Sequence, residues 1–422
     1  MKTHLFSLAL AACVVSSASG ATIHVNPIKT IPRPEGVTTA GRPSLHNGII
    51  VFGQTPPNNV GVTYDTQTEQ LQTWGGTDDP VDATRNVLGF FQNEQTGTGG
   101  KWAVVGGAPE GQSLSVPIKV IDLEKKTRID VYPDPAVGTG ADQHFFDINT
   151  NGDLVWVDFG PGTADVKLIW TNMKDPTVQV ALPTVTGGTT QHPRISTESG
   201  RRITYSPSGT RHRVFALDTM TDYSIYESTT GENVLRSRIS DDGNWVIANH
   251  RPAGESLKRS DLILINVTDL TKPVSFNLTK DPTVIREDPN IEIVDADTAI
   301  VVWGQDSTPD TEDNYDIYAA MVTGLSNNAP VLGTLVLLAT GDGGTGRGNR
   351  FPVIAGAAVW SVLAYTVCLY GILPAAGVNL SVKVVSRTDA GQLQHRLNRE
   401  IPASFCLASI SSAYCRHDSM RQ

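Results

Sequence analysis

Asn244-Trp-Val-Ile-Ala-Asn-His250 is an apolar β-type run set directly behind an Asp242-Gly243 turn, and the arrangement returns along the whole chain. The other runs of this type are Gly48-IIVFG, Lys101-WAVVGG, Asp153-LVWVDFG, Arg202-ITYS, Thr298-AIVVWG and Ala357-AVWSV. Behind each of the first six comes a second run that ends near a polar or acidic turn: VGVTYDTQT, IKVIDLEKK, KLIWTNMKD, RVFALDTMT, DLILINVTD and YDIYAAMVT. A period of roughly 45 to 55 residues built from strands alone reads as a β-propeller, because each blade is a small sheet that buries its faces only against its neighbours. The expected class is all-β, a propeller of seven blades with an incomplete last blade; six or eight blades are the alternatives.

The rest of the composition agrees. A repeat that fills most of 422 residues argues for one closed ring rather than several domains. Charged residues make up 18%, below the roughly 25% of an average soluble protein, as strands buried on both faces require. A net charge of -10 disfavours a phosphate-backbone partner, so nucleic acid is not expected.

Three segments are expected: a signal peptide over residues 1–20, the propeller over residues 21–362, and an atypical tail over residues 363–422. The first has Lys2, an apolar stretch from Leu5 to Val15 and a small-residue site at Ala18-Ser19-Gly20. That is the pattern of a secretory signal, too short for a transmembrane span. Leu10-Ala-Ala-Cys13 offers the alternative of a lipid anchor on Cys13. The tail carries +3 and three of the four cysteines, and after Leu363 it lacks the blade pattern, which reads as a translated intron, a shifted frame or disorder. Ring closure would draw on Ile23-His-Val-Asn-Pro-Ile28 as the outer strand of the last blade.

Ile239-Ser-Asp-Asp-Gly-Asn-Trp-Val-Ile-Ala248 resembles the repeat of TolB-like (PD40) propellers, an apolar-Ser-x-Asp-Gly turn followed by an apolar strand. His192-Pro-Arg-Ile-Ser196 with Gly200-Arg-Arg-Ile-Thr-Tyr205 fits with one extra turn residue, and Asp147-Ile-Asn-Thr-Asn-Gly152 fits with Asn for Asp. The likeness runs roughly from Ile31 to Val362. It implies a fold, and members that are scaffolds, binding proteins or propeller portions of enzymes.

The Asn47-Gly48, Asn151-Gly152 and Asp242-Gly243 pairs suit two-residue hairpins, in which positive φ is needed. These hairpins would close one face of the ring, leaving the starts of the inner strands on the other. There the sequence collects Arg85, Asp142-Gln143-His144, Gln191-His192-Pro193-Arg194, Arg236, Arg286-Glu287-Asp288 and Arg350. The candidate binding set is Arg85, Gln143, Gln191, Arg194, Arg286, Asp288 and Arg350. Two readings stand: a positive funnel for carboxylates or other anions, or arginines that pair with Asp142, Glu287 and Asp288 to tie blades together.

His144 and His192 each follow a Gln at the start of consecutive inner strands, and His250 ends a strand that reaches the same face. Three imidazoles suit a divalent transition metal, although no local metal motif accompanies them. Oligogalacturonate lyases are propellers with a metal held by His and Gln and a base that removes a proton. A likeness to them would put His144 and His192 on metal, Arg194 and Arg350 on uronate, and Arg236 or one of these histidines as base. A protein scaffold without catalysis is the third reading.

The chain has no G-x-S-x-G, H-E-x-x-H, C-x-x-C or P-loop motif. The Gly-rich run Gly341–Gly348 reads as a connection, and the acidic loop from Asp306 to Asp316 as a solvated loop. Sequons at Asn266-Val-Thr268 and Asn277-Leu-Thr279 fit a secreted glycoprotein. The expectation is a secreted monomer without a membrane span that binds an extracellular carbohydrate or protein ligand at the mouth of the channel.

Overall fold

The computed structural model of the protein describes residues between Ala21 and Asp389. Residues 1–20, 26–28, 31–43, 47–48, 55–59, 75–95, 106–117, 139–141, 160–165, 184–191, 256–258, 307–314, 340–348, 358–359, 368–379 and 390–422, with single residues at 67, 100, 199 and 282, lie outside the description. The predicted signal, the Cys13 box, Arg85, Gln191 and the Gly341–Gly348 run therefore fall outside it.

Seven antiparallel sheets of four or five strands account for every described strand. We number them as blades 1 (residues 44–74), 2 (96–131), 3 (142–181), 4 (194–227), 5 (233–277), 6 (285–339) and 7 (349–389). Each inner strand touches that of the next blade. Asn349–Ala357 of blade 7 returns to touch Ser44–His46 of blade 1, so the wheel is closed. Among the described residues no helix is long and apolar enough to cross a membrane.

The apolar runs are the second strands of their blades, and their period of two explains the core. In Asp153–Phe159 of blade 3, Leu154 and Trp156 pack with Trp102, Val104 and Ile118 of blade 2. Their alternates Val155 and Val157 pack with Ile203, Tyr205 and Phe215 of blade 4. Blade 5 repeats this: Trp245 and Ile247 meet Trp303 and Val301 of blade 6, whereas Val246 and Ala248 meet Val214 and Ile225 of blade 4. Both faces are buried, so the run reads as continuously apolar.

Blade 7 differs from the sequence expectation. Its inner strand extends to Ala357 and its second strand is Trp360–Val367, a few residues beyond the predicted Ala357–Val362. Small apolar residues with no Gly or Asp to mark a turn hid that boundary. Leu380–Asp389 supplies a third strand from the predicted tail, and Ala21–Val25 pairs with it as the outer strand, so the last blade is not incomplete. The amino-terminal closure matches the expectation. In register, Ala21 stands opposite Asp389 and Val25 opposite Val385.

In blades 3, 4 and 5 the turns between first and second strands are longer than two residues, whereas in blade 1 His46 pairs with Ile49 and in blade 2 Gly99 pairs with Trp102, leaving two residues between. Ile148 pairs with Leu154, and between them Asn149 Nδ2 and Oδ1 bond to the Asp153 side chain and N–H at 3.1 and 2.9 Å. Ser196 Oγ accepts from Arg202 N at 3.0 Å, and Ser240 Oγ accepts from Trp245 N at 3.0 Å. Gly152, Gly200 and Gly243 take φ of 78°, 79° and 75°, but Asn151 and Asp242 do not enter the left-handed region. In blades 3 and 5 one positive φ per turn, closed by an Asn or Ser side chain, replaces the two that a type I′ hairpin needs, while in blade 4 both Gly200 and Arg201, at φ 40°, take positive φ.

These turns also join blades. Thr150 N and Oγ1 both donate to Thr197 O, and Glu198 N donates to Asp241 O. Arg201 of blade 4 clamps the fully buried Asp153 of blade 3, with Nε and one terminal nitrogen each at 2.8 Å. Arg202 reaches on to the Gly243 and Val267 carbonyls of blade 5 at 2.9 and 2.7 Å. Burial alone would raise the Asp153 pKa, but the bonds from Arg201, Asn172 and Asn149 hold it below the ordinary carboxylate value.

Removing Arg201 leaves a buried carboxylate without its countercharge. Arg201→Ala is expected to lower unfolding free energy by about 3 kcal/mol, read by denaturant titration. The depressed Asp153 pKa adds stability above the unfolded value, so the wild-type advantage should shrink as acid protonates that group. A variant as stable as wild type at neutral pH would contradict this account.

Candidate functional site at the axis

The inner strands bulge where they line the axis. Pairing shifts between His144 and Asp147 in blade 3, between Leu235 and Arg238 in blade 5, between Glu287 and Asn290 in blade 6, and between Arg350 and Val353 in blade 7. Two residues then oppose one, and the first of them adopts positive φ: 57° at Phe145, 47° at Arg236 and 50° at Asp288. His192 has φ of 33° just before Arg194–Ile195, the inner strand of blade 4. Bulky and charged residues held at such φ are strained, and four of them gather around one opening.

This register changes the relation of the two Gln-His pairs. Ile148 pairs with Leu154 and Ile195 with Ile203, each partner being the second residue of its strand. Counting back, Asp147 corresponds to Arg194, and His192 corresponds to Phe145 rather than His144. The Phe145 and His192 rings stand 4.3 Å apart between centroids, tilted by 49°. The described ring neighbour of His192 is thus Phe145. His144 pairs in backbone with Val157; its side chain, with those of Gln143 and Arg350, lies outside the described residues.

Beside the aromatic pair sits an ionic chain. Arg236 of blade 5 donates to both oxygens of Asp288 in blade 6 at 3.1 and 2.9 Å, and to Glu287 at 3.2 Å. Asp288, followed by Glu287, holds the Arg236 pKa above its ordinary value despite burial. Arg194, 7% exposed, donates to the Phe146 carbonyl at 3.4 Å. Burial lowers its pKa, opposed by the charges of Asp147 and Asp288. Asp147 accepts from Ile148 N at 3.1 Å and, across the blade junction, from Ile195 N at 3.0 Å. Burial raises its pKa to about 6, with Arg194 opposing and Asp241 reinforcing.

Of the two readings of the mouth arginines, inter-blade pairing describes Arg236. It describes Arg286 too, which is 4% exposed, donates to the Ser260 carbonyl at 2.9 Å and sits 3.8 and 3.7 Å from Asp261 and Asp281. Arg286 therefore lies in the junction of blades 5 and 6. His250 packs edge-on to Tyr226 at 6.0 Å, against the outer strand of blade 4, and so belongs to a different junction from His192. Among the described residues no group of three or more His, Cys, Asp or Glu side chains is placed to hold a metal ion.

Sequence reasoning missed Phe145 and Asp147, because their place at the axis depends on the bulge. It also missed a buried chain in which His212 bonds to Thr204 at 2.9 Å and Ser206 at 2.6 Å, and Thr204 to Ser237 of the next blade at 3.2 Å. Burial pulls the His212 pKa to about 3, so this imidazole is neutral and structural.

The chain matches no known family profile and no curated protein. It is similar in fold to an oligogalacturonate lyase solved in complex with manganese, at 11% identity over 88% of this chain and 97% of that one, with TM-score 0.51. An oligogalacturonate lyase from Vibrio parahaemolyticus gives 10% identity over 89% and 98%, with TM-score 0.50. The β-propeller domain of the trilobed protease from Pyrococcus furiosus gives 10% identity over 78% and 91%, with TM-score 0.46. At such identities the likeness to the two lyases shows the propeller fold alone.

Asp147 titrates in an accessible window. With a folded pKa of about 6 against an ordinary 3.8, the folded state binds its proton more tightly, so this group lowers stability as pH rises through that interval. In Asp147→Asn the stability profile should lose that downward component between about pH 4 and 6, measured as the difference from wild type in denaturant titrations. Parallel profiles would show that Asp147 titrates normally.

Proposed function

We propose that this chain is a secreted TolB-like propeller that binds an extracellular carbohydrate at the axial mouth without transforming it. The supporting observation is the composition of the axial cluster. Phe145 and His192 present half-buried rings side by side, while the neighbouring guanidinium groups of Arg194 and Arg236 stand among the carboxylates of Asp147, Glu287 and Asp288. Ring faces beside polar groups of balanced charge suit a sugar, whose C–H face stacks on an aromatic and whose hydroxyls bond to both cations and carboxylates.

The same cluster weighs against elimination on a uronate. Arg236 was the side chain offered as base, and Asp288 and Glu287 strengthen its hold on its proton. Arg194 shares its charge with Asp147 and Asp288 instead of presenting it whole to a substrate carboxylate. A divalent metal and the scaffold reading remain outcomes of experiment.

Calorimetry of the secreted product against neutral and uronate oligosaccharides is the test. Phe145→Ala and His192→Ala should each weaken binding of a neutral oligosaccharide about tenfold, some 1.4 kcal/mol. No binding across such a series, or variants that bind like wild type, would refute the proposal. Metal-dependent appearance of unsaturated uronate absorbance from pectic oligomers would replace it with the lyase reading.

A further inference from the structure

Blade 6 ends in an outer strand unlike those of blades 2 to 5. It consists of two segments, Val331–Leu332 and Val336–Ala339, both paired on one side with Asp316–Thr323. Among the described strands none pairs with the other side. From Pro330 to Thr340 the chain has no charged residue, and Val331, Leu335 and Leu337 are 63%, 43% and 41% exposed. The outermost strands of blades 2 to 4 carry charge, Arg128 and Asp130 in Thr127–Val131, Asp175 in Asp175–Ala181, and Asp222 and Glu227 in Thr221–Glu227, while the uncharged Leu71–Trp74 of blade 1 exposes no large apolar side chain. Val274–Asn277 is flanked by Lys272 and Lys280. Such charges prevent sheets from joining edge to edge, and blade 6 lacks them.

We propose that this edge is the contact between two copies of the chain, paired antiparallel, blade 6 to blade 6, about a two-fold axis near Leu335. In a two-fold contact every residue meets the same surface on its mate, so a charged edge would oppose like charges, whereas this one opposes none. The net charge of -10 resists association through charged surfaces, and the rim of blade 6 combines the absence of charge with exposed Val331, Leu335 and Leu337. With the axis at Leu335, Leu337 stands opposite Gly333 and Val331 opposite Ala339, so large side chains meet small ones. The ladder is broken between Leu332 and Val336, and one strand edge buries well under the roughly 1,200 Å² of a stable interface. The dimer is therefore weak, with a dissociation constant in the micromolar range or above.

This does not rest on the carbohydrate reading, since the rim of blade 6 is remote in sheet order from the inner strands. Sedimentation velocity of the whole secreted protein from about 1 to 200 µM tests it. Wild type should shift from monomer towards dimer mass as concentration rises. Leu335→Lys combined with Leu337→Lys, both exposed and shown to be folded by thermal unfolding, should stay monomeric throughout. Hydrogen exchange of residues 331–339 should slow with concentration in wild type alone. Monomeric wild type over the whole range, or association that survives the double substitution, would overturn the proposal.

Discussion

A strand that is apolar on both faces cannot be covered by its own sheet. In blades 3 to 6 the second strand has that character, and the arrangement of the ring follows from the need to place a sheet against each side of it. Trp156 and Leu154 require blade 2, Val155 and Val157 require blade 4, and the same dependence passes from blade to blade. An open row would leave two apolar faces in water. Closure between blades 7 and 1, with Ala21–Val25 holding the edge of blade 7, removes both.

Polar interactions set the angle between blades once apolar burial has brought them together. Each blade-to-blade step from 3 to 6 has at least one side-chain clamp: Arg201 on Asp153, Arg202 on the blade 5 carbonyls, and Arg236 on Asp288. The first two lie at the turns and the third at the axis, so blades 3 to 5 are tied at the turns and blades 5 and 6 at the axis. The charged groups near the axis are consequently structural and surface-forming together. Ligand recognition there works with a charge pattern that the ring itself requires, which favours partners whose hydroxyls accept and donate over partners that demand one sign of charge.

The likeness to oligogalacturonate lyases in overall fold illustrates how little a propeller says about chemistry. A wheel of sheets with its loops around one opening hosts binding and catalysis alike, and the outcome depends on a handful of side chains at the axis. Here those side chains are displaced from a simple strand register by bulges at Phe145, Arg236 and Asp288. A bulge re-aims each residue that follows it.

The ring was legible in the sequence because a period-two apolar strand behind a Gly turn is a local pattern, visible at Asp153–Phe159 and at Trp245–Arg251 without knowledge of their neighbours. The use of the amino-terminal strand to close the last blade was legible as well, as a requirement of ring closure. The third strand of blade 7 was not, because Leu380–Asp389 sits in a tail whose charge and cysteines differ from the rest. The site was legible only as a set of residue types near one rim. Which of them meet was decided in three dimensions: the Phe145 ring stands against His192 at an inner-strand bulge, and no local pattern encodes where that bulge falls. Strand identity follows from the chain's own alternation, whereas contact between blades depends on register across residues about fifty apart, which packing selects.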